Sequence, residues 1–213
     1  MIKPLSYIYP ITKKVSSQFN GTLEITWFNG KKYLNTKNAN YSYGSLQKVL
    51  KIGLQKIDLS ICKNILLLGM GGGSVIETLR TDFNYQKNIT AVEIDPVVIK
   101  IAEDEFSISE NKTLKIICED AQLFMQLNTR KFDLIITDLY IDTTVPSPFL
   151  ETPFWQDLIN TSPIILCNAS IDLGNENKVK GIVRFLTNHN HNVDRFDRVN
   201  DTNTLIIANS KQS

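Results

Sequence analysis

A glycine cluster and three acidic residues, each at the end of a short apolar run, are the part of this sequence best suited to chemistry. The cluster is LLLGMGGGS, Leu66 to Ser74, in which Gly69, Gly71, Gly72 and Gly73 fill four of five positions. Glycine permits unusual φ and lets a ligand press against bare main chain, and a helix starting just after the turn offers free N–H groups. A turn that merely needs glycine is the plainer explanation; so dense a cluster favours ligand binding. The loop by itself would serve a dinucleotide or a nucleoside. Glu93, in AVEID, closes the next apolar run, at the distance from the glycines expected of one βαβ unit. A carboxylate there accepts hydrogen bonds from both ribose hydroxyls. Asp95 precedes Pro96 and is better placed to cap the helix that Pro96 starts. Asp120, in CEDAQLF, has two roles open to it: cap of the helix beginning at Ala121, or acceptor for the exocyclic amine of adenine. Asp138, in FDLIITDLY, ends a further run. A carboxylate at that point can hold an amine and take its proton as the nitrogen attacks an electrophilic carbon. Such a displacement needs mostly alignment, so one positioned base can suffice.

These residues need a frame that gathers them, and the chain supplies one. Apolar runs 64–68, 89–94, 114–118, 132–137 and 163–167 alternate with stretches of helical spacing at 75–80, 97–105, 121–127 and 176–187. That alternation predicts a mostly parallel sheet with helices on both faces. Two closing strands, 193–199 and 204–208, are split only by Asn200 to Asn203 and must be antiparallel. The expected fold is therefore class I methyltransferase-like α/β: a seven-stranded, mostly parallel sheet ending in an antiparallel hairpin. All three acidic strand ends then face the edge where ligands gather in such sheets. Ahead of this lies TLEITWF–NG–KKYLNT, whose Asn29-Gly30 is the strongest short-range hairpin signal. Residues 1–42 are read as a small N-terminal β-hairpin extension, joined by a helix over 45–57 to a Rossmann-like domain, residues 43–213. After Asp138 runs Tyr140-Ile141-Asp142-Thr143-Thr144, either a wall or lid of an acceptor pocket or only a path to the helix start at Thr152-Pro153.

Composition narrows the partners. The 213 residues carry a formal net charge of +1, with 42% hydrophobic and 21% charged residues, an ordinary globular balance. Basic residues are scattered, so no nucleic-acid partner is expected. No run approaches the ~20 apolar residues of a membrane span, and MIKPLSYIYPITKK lacks the apolar core of a secretory leader. Cys62, Cys118 and Cys167 lie far apart beside apolar runs and read as small core residues, which suits a reducing cytoplasm. His189 and His191 sit in a polar turn without further ligands, so no metal site is expected. The hairpin edge is able to pair with a second copy in a homodimer.

Taken together, these segments resemble the spermidine synthase family of aminopropyltransferases, from about Gly21 to Trp155. GTLEI, NG and YSYGSL are similar to that family's N-terminal hairpin and Tyr-containing segment, LLLGMGGGS to its glycine loop, VEID to its ribose strand, EDA to its adenine-side motif and FDLIITD to its catalytic strand. The resemblance implies that Glu93 binds ribose, that Asp120 with Ala121 borders adenine, that Asp138 is catalytic and that Tyr43 stands near the acceptor. Tyr140 and Asp142 are placed on the acceptor side by the loop that follows Asp138. The cofactor implied is S-adenosylmethionine or its decarboxylated form. The chain also departs from the pattern. Gly72 stands where the family's loop carries an amine-binding Asp, Leu34 and Ala39 replace an N-terminal Gln and Asp, Ser45 replaces a Glu, and Asp142 falls one residue late for the second Asp of Asp-x-x-Asp-Pro. A polyamine site must pair buried ammonium groups with carboxylates. The sequence thus favours a paralogue with an altered small-molecule acceptor, an amine suiting Asp138, and methyl transfer from the intact donor. A true aminopropyltransferase is the first alternative and a non-catalytic nucleoside-binding module the second. An NAD-linked oxidoreductase would leave Asp120, Asp138 and the closing hairpin unexplained, and Ser74 replaces the last glycine of its G-x-G-x-x-G.

Overall fold

A computed structural model describes residues 5–36, 40–141, 143–171 and 175–211. Asp142 and Ala39 lie outside the described residues.

The main sheet begins with β5 (Asn64–Leu68), which sits between β8 (Leu134–Thr137) and β6 (Asn88–Glu93). Outward from these lie β7 (Leu114–Cys118) on one side and β9 (Ile164–Ile171) on the other. These five strands are parallel. Beyond β9 come β11 (Asn203–Ser210) and then β10 (His191–Val199), both antiparallel to their neighbours. The seven-stranded order β10-β11-β9-β8-β5-β6-β7 is the expected class I methyltransferase-like fold.

Successive side chains of a strand point to opposite faces, so a central parallel strand must be apolar throughout. In β5, Ile65 and Leu67 pack on one face while Leu66 and Leu68 pack on the other. The first face is covered by α1 (Ser45–Leu54), α2 (Ser74–Thr81) and part of α3 (Pro96–Phe106). The second takes α4 (Ala121–Leu127), α5 (Thr152–Thr161) and α6 (Glu176–Asn188), with Trp155 1% exposed at its centre. A 3-10 turn, Ser147–Leu150, precedes α5 and was not expected.

The N-terminal element is larger than a hairpin. Four antiparallel strands, β1 (Ile11–Ser17), β2 (Gly21–Phe28), β3 (Lys31–Asn35) and β4 (Asn40–Ser42), form a separate sheet. Asn29 and Gly30 make its central turn with φ of 49° and 72°. Leu23, Ile25 and Leu34 pack against Val98 and Ile101 of α3, and Lys32 bridges Glu105 at 2.8 Å. This docking brings the β1–β2 turn to the carboxyl edge of the main sheet.

Candidate functional site

A cleft of about 420 Å³ opens at the carboxyl ends of the parallel strands, within the range of pockets that hold small ligands. Its first wall is the turn from β5 to α2. Gly69 has φ +85°, and a Cβ there would meet the Asp138 main-chain carbonyl at 2.2 Å, so only glycine allows the two strand ends to touch. Gly69, Met70 and Gly71 line the cleft, with Ser74 at the start of α2. Gly72 and Gly73, also expected at the ligand, do not line it. A Cβ on Gly72 would lie 3.1 Å from Ser42, with Leu34 just beyond, so the N-terminal sheet packs against this position. Gly73 caps α2 with φ +88° and faces Ile108.

Glu93 forms the next wall and is 4% exposed. Its Oε2 accepts the Gly71 N–H at 2.9 Å and its Oε1 accepts the Asp95 N–H at 3.1 Å. The Gly71 N–H therefore orients Glu93, and it is not free for a phosphate. A carboxylate has about four lone-pair positions, so each oxygen keeps capacity for a ligand hydroxyl. Burial pushes the Glu93 carboxyl up to about 7, against backbone donors at Gly71, Asp95 and Ile94 and with the Asp95 charge adding to the rise.

Asp95 caps α3, accepting from Val97 N–H at 2.9 Å. It also does something the sequence did not announce. Fully buried, it accepts from Ser17 and, at 2.7 Å, from the Asn20 amide. These bonds hold the β1–β2 turn so that Phe19 and Asn20 line the cleft above Glu93 and Ile94. No strand or helix period could have signalled this convergence. Asp120 takes the first of the two roles open to it, its Oδ1 accepting from Leu123 N–H at 2.9 Å as the cap of α4, and the residue lines the cleft beside Glu119 and Ala121.

Asp138 stands just past β8, on the cleft floor. Its Oδ1 accepts from the Asn168 amide of β9 at 3.0 Å. Burial raises its carboxyl to about 6, and the Asn168 bond pulls the other way. Tyr140 also lines the cleft and donates to Asn168 Oδ1 at 3.1 Å; burial and the Asp138 charge hold its phenol well above the usual range. Phe149 from the 3-10 turn, Thr202 from the β10–β11 turn and Asn203 at the start of β11 complete this end. Tyr43 does not line the cleft. Its ring stacks on Phe106 at 4.4 Å and its hydroxyl donates to the Gly72 carbonyl at 3.2 Å, on the far side of the glycine turn. Cys62 and Cys167 are buried as expected, but Cys118 is exposed at the end of β7.

Glu93, Glu119, Asp120 and Asp138 line the cleft, and no Lys, Arg or His does so among the described residues. Such a site attracts cations and repels an anionic diphosphate. Buried ribose-type acceptors, an acidic lining and no free glycine-loop donor at Gly71 suit a cationic nucleoside. No cluster of metal-ligating side chains occurs among the described residues, and no helix among them is long and apolar enough to cross a membrane.

Fold and cleft together define a class I methyltransferase-like domain with an acidic cleft at the carboxyl edge of its sheet. Within that class, the spermine/spermidine synthase domain model matches residues 48–163, more than half the chain, and the chain belongs to this family. A polyamine aminopropyltransferase of Vibrio vulnificus is 29% identical over 113 residues, covering 50% of this chain and 38% of that protein. An eEF1A lysine and N-terminal methyltransferase homolog of Drosophila pseudoobscura pseudoobscura is 29% identical over 103 residues, covering 47% and 15%. The chain thus spans less than two-fifths of either relative. A probable spermidine synthase from Corynebacterium glutamicum superposes with a TM-score of 0.65 at 16% identity, covering 96% of this chain and 78% of the other.

Proposed function

We propose that this protein is a transferase that moves the methyl group of S-adenosylmethionine to the nitrogen of a small amine. The cofactor is S-adenosylmethionine or its decarboxylated form, and the cleft fits such a group: Glu93 would hold ribose, Asp120 with Ala121 would border adenine, and the carboxylates would face the sulfonium. When bound, it supplies an electrophilic carbon beside a positively charged sulfur.

The observation that carries the choice of donor is the packing at Gly72. Gly72 carries no carboxylate where aminopropyltransferases hold the amine, and a Cβ there would lie 3.1 Å from Ser42, closer than ordinary van der Waals contact. By the family resemblance, loss of that carboxylate also removes repulsion against the carboxylate of the intact donor. One observation favours aminopropyl transfer instead: a cleft lined by four carboxylates and by no cation suits a donor that lacks its own carboxylate.

The chain's own residues have separable tasks in either case. Glu93 and the glycine turn bind and orient. Phe19, Tyr140 and Phe149 narrow the cleft and exclude water. Asp138 accepts the amine proton through Oδ2, the oxygen not engaged by Asn168. Calorimetric titration with the two donors, side by side, tests the reading. Tighter binding of S-adenosylmethionine is expected; tighter binding of the decarboxylated form would overturn methyl transfer in favour of aminopropyl transfer.

A further inference from the structure

Asn168 is 1% exposed on β9, and each polar atom of its amide is engaged. Oδ1 accepts from the Tyr140 hydroxyl at 3.1 Å and from the Asn203 amide at 3.0 Å, while Nδ2 donates to Asp138 Oδ1 at 3.0 Å. An amide oxygen has two lone pairs, so both are filled. Turning the amide over would set its NH2 against the Asn203 amide and its oxygen against the Asp138 carboxylate, losing both of those bonds, with only the Tyr140 hydroxyl able to exchange donor and acceptor roles. The network leaves the amide one orientation.

We propose that Asn168 is the positioning residue of Asp138: locked from behind by Tyr140 and Asn203, it pins one carboxylate oxygen and leaves the other for the acceptor. This rests on the reading of Asp138 as the base. The arrangement draws on three separate chain segments. Asp138 and Tyr140 follow β8, Asn168 lies within β9, and Asn203 starts β11, so the closing hairpin is tied to the carboxylate through one amide. The ionisable groups beside Asp138 are Tyr140 and Cys167. Burial pushes the Cys167 thiol up to about 12 and the Tyr140 phenol higher still, so both stay neutral while Asp138 titrates. Asn168 is then the polar partner that favours the ionised form of Asp138 against the rise caused by burial.

The test is a pH titration of the 13C-labelled side-chain carboxyl of Asp138 by NMR in the whole protein, with Asp138→Asn identifying the resonance. It needs no acceptor. Asn168→Leu, close in volume but without a donor, is expected to raise the midpoint by about one pH unit, the size of a hydrogen bond to a charged group. Asn168→Asp sets a second carboxylate against the first, and the pair should then titrate in two steps, the upper one higher still. It also decides the matter should the Leu variant fail to fold. A midpoint unmoved by these changes overturns the proposal. Failure of the underlying reading looks different: the midpoints would shift as described, yet Asp138→Asn would keep full transfer activity.

Discussion

At Asp138, the same burial that suits a base also limits when it can act. Its carboxyl rises from 3.8 to about 6, so the ionised fraction grows from about one-tenth at pH 5 to about nine-tenths at pH 7. If Asp138 takes the amine proton, initial rates of donor consumption with an amine acceptor should climb through that window and level above it. Asp138→Asn should then lower turnover by roughly 10²- to 10⁴-fold while leaving donor affinity little changed, since a base of this kind serves the acceptor and not the donor. A rate loss matched by an equal loss of donor binding would instead make Asp138 part of the nucleoside site. Much of this was legible beforehand, since Glu93, Asp120 and Asp138 all end apolar runs of a parallel sheet. Asn168 was not legible. It lies inside ILCNASI, where nothing in the spacing distinguishes a buried amide with three partners from a turn residue.

The elements divide in the same way. Strands buried on both faces, such as β5, announce themselves by unbroken apolar runs. Edge strands do not. β1 buries only Ser17 fully and leaves most of ITKKVSS exposed, and β4 has three residues, so neither had a period to detect. What the N-terminal sheet contributes therefore emerged only in three dimensions, through Asp95. Asp95→Ala removes the cap of α3 together with the acceptor for Ser17 and Asn20. The expected cost is about 2 kcal/mol in urea unfolding, from one cap and one buried hydrogen-bond pair. Donor affinity should also fall several-fold, because Phe19 and Asn20 lose the anchor that holds them over Glu93. Loss of stability with donor affinity intact would show that the β1–β2 turn is no part of the binding site.

For the molecule as a whole, the cleft is built from groups that oppose folding at neutral pH. A carboxyl whose folded-state pKa is raised stabilises the fold while protonated. The Glu93 contribution is whole below its unfolded value of 4.5 and is lost as pH rises through about 7, a swing of roughly 3 kcal/mol. Asp138 acts in the same direction between 3.8 and about 6. Glu105, Glu151 and Glu176 act in the opposite direction: lysine and arginine partners hold their pKa down, so their support is present above 4.5 and lost as pH falls. Stability without ligand should therefore peak near pH 5 and decline towards pH 8. Thermal melts across that range check this, and Glu93→Gln supplies the control. Gln faces one of the Gly71 and Asp95 N–H groups with its own NH2, so the variant is less stable in absolute terms. Its decline above pH 5 should nonetheless be shallower than that of the native chain. Saturating S-adenosylmethionine should flatten the native decline too, because ribose hydroxyls donating to Glu93 favour the ionised form. A decline left unchanged both by Glu93→Gln and by the ligand would mean that Glu93 does not face the nucleoside, and would remove the acidic cleft as the basis of cofactor choice.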